Sequence, residues 1–229
     1  MTYSVVALSG DGTRLGVATA SCSLAVGAAV PALAPRVGAV VTQAYTNQRF
    51  RARGLELLRV GLAPQQVLEQ LAREDDDYAF RQVAIVDVQG RTAVWTGESC
   101  TGWADAIEGP RFVVVGNYLA SRQVLQDMEK VLRNPPPGSF TSRLLAALEA
   151  GEAAGGDSRG RQSAALNVVN NEFEDAFPPL TEVDLRSDDD PQPLAALRRM
   201  LRALPEAADD AAAEVTDPTL PEPQPEELT

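Results

Sequence analysis

Two apolar runs rich in β-branched residues, 3–8 and 15–22, flank the segment SGDGTR. An Asp-Gly pair between such runs is among the strongest short-range hairpin signals. A hairpin at the start of the chain commits it to antiparallel sheet, and that sheet needs further elements to bury its apolar face. With Asp11-Gly12 as a two-residue turn, paired positions sum to 23, which sets Thr2 opposite Ser21, Ser4 opposite Thr19 and Val6 opposite Val17. Four hydroxyls then gather at one end of a single hairpin face. The register depends on the loop, because a one-residue slip reverses the two faces.

The same patterning continues downstream. Residues 37–42 read as a strand, and QAYTNQRFRA as a polar connection. Helices follow at 53–60, stopped by Gly61, and at 64–73, opened by Pro64. RQVAIVDVQGRTAVWTG reads as a second hairpin turning at Gln89-Gly90, and FVVVGN as a further strand. Helices are predicted at 121–133, at 140–150 with Gly151 as its stop, and at 193–204, with the buried strand SAALNVVN before the last. Grouped strands and grouped helices argue for an α+β fold with helix layers on the faces of a sheet pair, against alternating βα units. The expected organisation is one domain over 1–204 and a disordered tail over 205–229.

Charge supports that division. Of 32 acidic residues, eight lie in Pro205–Thr229, where there is no basic residue, so a net charge of −12 falls to −4 for the body. Uncompensated acid with repeated proline suits a disordered tail. The acidic balance argues against a nucleic-acid binder, whose affinity rests on Lys and Arg. Residues 15–35 carry no charge, yet Gly16, Gly27 and Pro31 suit buried strands better than a secretory leader or a membrane span. Cys22 and Cys100 fit no metal spacing and suit a reduced, cytoplasmic chain.

Histidine is absent. That excludes a Ser-His-Asp triad, a Cys-His pair and a His-bearing zinc site within the chain. A base working near neutral pH has to be a raised carboxylate, a depressed lysine or a free α-amine, whose ordinary pKa is about 7.7–8.0. Thr2 could supply the last. Removal of Met1 would place its hydroxyl and its α-amine on one residue, a nucleophile carrying its own base. GGDSRGRQS at 155–163 collects glycines, an acid, two arginines, an amide and a hydroxyl before a strand, either as a flexible connector or as a ligand loop in which Arg159 forks onto a carboxylate. Arg49, Arg51 and Arg53 form a basic run that reads as a solvated face or an anion site. The acidic runs EDDD and DDD fit no calcium-loop pattern and read as solvated.

Taken together, TYSVVA at 2–7, LGVA at 15–18, Ser21 with AVG at 25–27, VGAV at 37–40, TQA at 42–44, Thr46-Asn47, RGLELL at 53–58, Gly116-Asn117, GGDSRGRQSAAL at 155–166 and VDLR at 183–186 carry a family likeness. The sequence resembles a prokaryotic domain of unknown function within the N-terminal-nucleophile (Ntn) hydrolase superfamily, over about residues 2–203. The resemblance implies a four-layer αββα sandwich and an amidohydrolase acting on a small amide or peptide through Thr2. It implies Ser21 as the residue orienting the nucleophile and Gly116-Asn117 as the oxyanion element, through a backbone N–H or the Asn117 amide. Arg36 matches the approximate place of a tuning lysine in proteasome subunits. Thr46, Asn47, Arg53, Asp157, Arg159, Gln162 and Ser163 would contact substrate. No cofactor, metal, nucleic acid or membrane is expected, and self-association is left open. The alternative on the same fold is a catalytically silent binding or scaffold protein. Two departures stand out: Cys22 follows Ser21 where many members carry a basic residue, and DDDP at 188–191 replaces DDHP.

Overall fold

The computed structural model describes residues 2–173 and 178–204. Met1 and the tail expected over 205–229 lie outside the described residues.

The first hairpin pairs β1 (Thr2–Leu8) with β2 (Arg14–Ser21) in the register the Asp-Gly signal predicts, from Thr2 opposite Ser21 to Leu8 opposite Leu15. The loop is longer than two residues, because Ser9 still pairs with Arg14 and Gly12 N–H closes onto Ser9 O. One residue is added on each side, so the sum of paired numbers is unchanged and no face is reversed. Asp11 holds the loop by accepting hydrogen bonds from the Ser9 hydroxyl and from both Thr13 donors.

β8 (Phe112–Leu119) and β9 (Ser163–Asn170) flank this hairpin, and β7 (Trp103–Gly109) and β10 (Val183–Ser187) form the edges. The result is a six-stranded antiparallel sheet in the order β10-β9-β2-β1-β8-β7. A second sheet has the order β3-β4-β5-β6, from β3 (Pro31–Ala34), β4 (Gly38–Ala44), β5 (Arg81–Asp87) and β6 (Thr92–Thr96). β3, β7 and β10 were not delimited from the sequence, and all three are edge strands. Edges bury one face at most and are short or interrupted, so their hydrophobic alternation is weak; β7 even shifts register between Trp103 and Asp105.

Three apolar clusters order the layers. Val6, Leu8, Leu15 and Val17 meet Ala39, Val41, Ala84 and Val86 between the two sheets. On the other face of the six-stranded sheet, Tyr3, Val5 and Ala18 pack under α4 (Gln123–Arg133), α5 (Phe140–Ala153) and α6 (Pro193–Ala203). On the far face of the smaller sheet, Val40, Val83 and Ile85 pack under α2 (Arg49–Arg59) and α3 (Pro64–Arg73). A one-turn helix, α1 (Val26–Ala29), crosses from β2 to β3.

Helix ends follow local chemistry. Gly61, at φ 94°, takes the left-handed position after α2, with Gly61 N–H on Leu58 O and Leu62 N–H on Leu57 O. α2 begins at Arg49, ahead of the predicted 53, because Phe50 is buried one turn before Gly54 and two before Leu57. Gly151 is a correction. α5 runs through it to Ala153, and its missing side chain makes room for Met128, whose Cγ and Sδ would lie 2.9 Å from a Cβ there. The actual stop is Gly155 at φ 115°, with Gly155 N–H on Glu152 O and Gly156 N–H on Gly151 O. No helix among the described residues is long and apolar enough to cross a membrane.

Candidate functional site

At the Thr2 end of the sheets the inter-sheet core changes from apolar to polar. Each fully buried Val or Leu deeper in that core contributes about 1.5–3 kcal/mol. Polar groups in the same plane are tolerable only if paired. Thr2 is 4% exposed and its Oγ1 donates to Ser21 Oγ at 3.3 Å. Ser4 Oγ lies 2.7 Å from Gln43 Oε1 and 2.8 Å from Thr19 Oγ1. An amide oxygen can only accept, so the Ser4 proton goes to Gln43 and Thr19 donates to Ser4.

Gln43 and Gln82, opposite one another on β4 and β5, form the hub. Gln43 Nε2 donates to Thr2 O at 3.1 Å and to Gln82 Oε1 at 2.8 Å. Gln82 Nε2 donates to Gly116 O, Thr96 Oγ1 and Asp105 O. Two of these are carbonyls, which fixes the orientation of the Gln82 amide and leaves its Oε1 to accept from Asn117 Nδ2 at 2.9 Å. Sequence reasoning assigned neither glutamine a role. The available signal was a break in period-two alternation: Ala39, Val41, Gln43 on one strand and Gln82, Ala84, Val86 on the next share the inner face.

The orientation chain ends at Asn117, which is fully buried and whose Oδ1 has no hydrogen-bond partner. The atom it leaves unpaired is therefore an acceptor. Gln82 takes one of the two Nδ2 protons, and the other remains for the donor role expected of Asn117. Asn117 lines a cavity of about 200 Å³ with Ala44, Tyr45, Thr101 and Tyr118. Tyr45 is exposed and meets Phe80 edge-on, with ring centroids 5.6 Å apart.

The GGDSRGRQS loop is tied down at the same end. Asp157 is buried and accepts from Cys22 N–H at 3.0 Å and from the Arg159 N–H, Nε and Nη2 groups. Its carboxylate locks the residue after Ser21 to the loop. Gln162 N–H donates to Ser21 O and its side chain to Asp189. Ser163, opposite Ser21 on β9, accepts from Val26 N–H and donates to Ser23 O. Arg159 lies over the Tyr118 ring, 5.8 Å from its centroid. A second cavity of about 510 Å³ opens on the helix side, among Tyr3, Ser21, Glu152, Asp157, Arg161 and Ser163. There the Tyr3 hydroxyl donates to Glu152, which also pairs with Arg161 at 3.0 Å. Burial and, after it, the Glu152 charge hold the Tyr3 phenol well above its ordinary range.

Other expected residues fall elsewhere. Arg36 sits in the β3–β4 turn, bonded to Asn171 beside the Gly12 loop. That is the opposite end of the sheets from Thr2, so no tuning cation comes from it. Arg53 is on the outer face of α2, paired with Glu74 at 2.8 Å and with Glu56. Asn47 donates to Asp75, whose carboxyl is held below its usual range chiefly by Arg81. Thr46 lies partly buried beside it. These side chains order the β4–α2 connection. Both cysteines are free.

A family model described as a family of unknown function, DUF1028, matches residues 2–197. The chain belongs to this family. Among solved structures, the DUF1028 fold resembles protein SPO2555 from Silicibacter pomeroyi, a DUF1028 protein, at 28% identity and TM-score 0.78 over 88% of each chain. It is also similar to Anbu (ancestral beta-subunit) from Yersinia bercovieri, at 14% identity and TM-score 0.42, covering 89% of this chain and 94% of that one. A search of curated proteins finds no match.

Proposed function

We propose that this DUF1028 protein is an Ntn-type amidohydrolase on a four-layer αββα sandwich, with Thr2 as nucleophile once Met1 has been removed. The observation that carries the reading is the Thr2 hydroxyl. It points into the inter-sheet plane at the polar end described above, bonded to Ser21 rather than packed in the core. The free α-amine would take the proton as Thr2 Oγ1 attacks the carbonyl carbon. Collapse of the tetrahedral species would break the C–N bond, returning that proton to the leaving amine, and water would then release the acyl group from Oγ1. Gln43 would hold the Thr2 carbonyl, and Asn117 Oδ1 would accept from a substrate N–H, which leaves the second Nδ2 proton or main-chain N–H groups of the Gly116–Asn117 stretch for the oxyanion. Asp157 and Arg159 would act by positioning the loop, with Gln162 and Ser163. The reduced cysteines suit a cytoplasmic setting.

Intact mass of the purified protein gives the first test, because a retained Met1 leaves no free amine on Thr2 and removes the mechanism. Amine release from a panel of dipeptides and N-acyl amino acids is the second. Wild type should turn over at least one of them and Thr2→Ala none; equal turnover refutes the role of Thr2. One observation favours the binding-protein reading: Thr2 lines neither cavity at this end. A dipeptide that stabilises wild type and Thr2→Ala equally, without turnover, would establish it.

A further inference from the structure

The cavity of about 200 Å³ beside Asn117 has walls set in costly backbone. Ala44 and Tyr118, at φ 70° and 53°, both line it and both stand in the left-handed region, which residues carrying a Cβ enter at a cost in free energy. Bonds on either side hold each wall in place. Tyr118 N–H donates to Thr101 O and Tyr118 O accepts from Ser158 N–H, while Gly102 packs so closely that a Cβ on it would lie 2.9 Å from Tyr118 Cα. Directly after Ala44, Tyr45 N–H donates to Phe80 O and Tyr45 O accepts from Arg81 at 2.7 Å. Strain that the surroundings over-determine in this way is characteristic of ligand clamps, and it leaves the cavity shaped before a ligand arrives.

The sheet register ties this cavity to Thr2. On the inner face Val6 stands opposite Val113 and Ser4 opposite Val115, and the register continued one step past Tyr3 and Gly116 sets Thr2 beside Asn117. Directly opposed side chains on neighbouring strands are about 5 Å apart. Thr2 therefore borders the Asn117 wall without lining the cavity, and the side chain of an acyl residue held at Thr2 reaches over that wall.

Size and surface select the occupant. An apolar cavity of about 150 Å³ is enough for benzene, so this one takes a single six-membered ring. Tyr45 and Tyr118 offer ring surface, and Phe80 extends that of Tyr45 edge-on. The five described residues that line the cavity are uncharged, and Arg159 already lies over the Tyr118 ring. A charged group would exchange its hydration for uncharged walls, whereas a neutral ring meets other rings in favourable contact.

We propose that this cavity is the specificity pocket of the Thr2 site and takes one neutral aromatic ring on the acyl side of the scissile amide. Its role in selecting substrate rests on the amidohydrolase reading; the binding of a ring does not need turnover.

Titration calorimetry on the full chain carrying Thr2→Ala keeps the two apart. N-acetylphenylalanine amide should bind saturably and about tenfold more tightly than N-acetylalanine amide, and N-acetyllysine amide no more tightly than the alanine compound. Adding Ala44→Leu, which fills the cavity, should remove most of that preference and leave the alanine compound unchanged. Tyr45→Ala, which cuts back a side chain 56% exposed, should do the same and keeps the test available if Ala44→Leu does not fold. No saturable binding of the phenylalanine compound, equal affinity for it and the alanine compound, or a preference untouched by both variants overturns the pocket. Tighter binding of the lysine compound overturns the neutral ring. Wild type turning over the phenylalanine and alanine amides at equal kcat/KM overturns the pocket and leaves the hydrolase standing, whereas ring preference in Thr2→Ala without turnover by wild type keeps the pocket and refutes the hydrolase.

Discussion

Replacing Gln82 with leucine removes the centre of the polar cluster while nearly keeping its volume. Gln82 is fully buried, and its Oε1 accepts the hydrogen bonds that link Asn117 and Gln43 to one another. In Gln82→Leu, Asn117 loses its one side-chain bond, so both of its polar atoms stand unpaired at 0% exposure. Gln43 keeps Thr2 O and Ser4 but loses one donor contact. Each buried polar group left without a partner costs about 1–3 kcal/mol, which sums to about 3 kcal/mol for Asn117, the half-satisfied Gln43 and the Gly116 carbonyl that loses Gln82 Nε2. For a chain of this length, about 2–4 °C of Tm per kcal/mol gives a fall of roughly 6–12 °C by calorimetry. The double variant Gln82→Leu, Asn117→Leu discriminates, because removing both partners leaves no orphan between them. It should recover part of the loss rather than add to it. A neutral Gln82→Leu, or strictly additive variants, would refute the assignment of the hub.

Three further outcomes follow from the geometry. Gly151→Val drives a side chain into Met128 Sδ and Val124 and should destabilise by about 1–3 kcal/mol in urea unfolding. Gly155→Ala, at φ 115° and with a Cβ 2.7 Å from Ala120 Cβ, should cost about 1–3 kcal/mol. Asp11 is held at about 2 by hydrogen bonds from Ser9 and Thr13. Because its folded value is depressed below the ordinary value of about 3.9, its contribution is complete above that value and is lost as pH falls towards 2. The urea midpoint of Asp11→Ala should therefore lie below that of wild type at pH 7 and meet it near pH 2.

Where the sequence was legible, a local cause was sufficient. The Asp-Gly turn and the alternation around it set the first hairpin and brought Thr2 opposite Ser21 without reference to any other segment. Gly61 and Pro64 marked the α2–α3 corner because backbone conformation alone selects them. Legibility ended where a residue's role is set by what lies across the fold. Gly151 reads as a stop and is a packing notch for Met128. Arg36 is expected beside the nucleophile through the family resemblance alone, yet the β3–β4 turn carries it to the far end of the sheets.

The sequence by itself determined the hairpin register, the antiparallel character of the sheets, the helix faces and the exclusion of histidine chemistry, since each depends on neighbours two to four positions away or on composition. Only the tertiary structure decided that Gln43 and Gln82 meet beneath Thr2, that Asn117 is left presenting an acceptor, and that Asp157 is consumed in holding its own loop. The glutamine and Asn117 roles arise from hydrogen bonds between residues 34 to 41 positions apart, and Asp157 ties its loop to Cys22 N–H from 135 positions away. A donor's partner at that separation is chosen by how the sheets stack, and no local pattern encodes it.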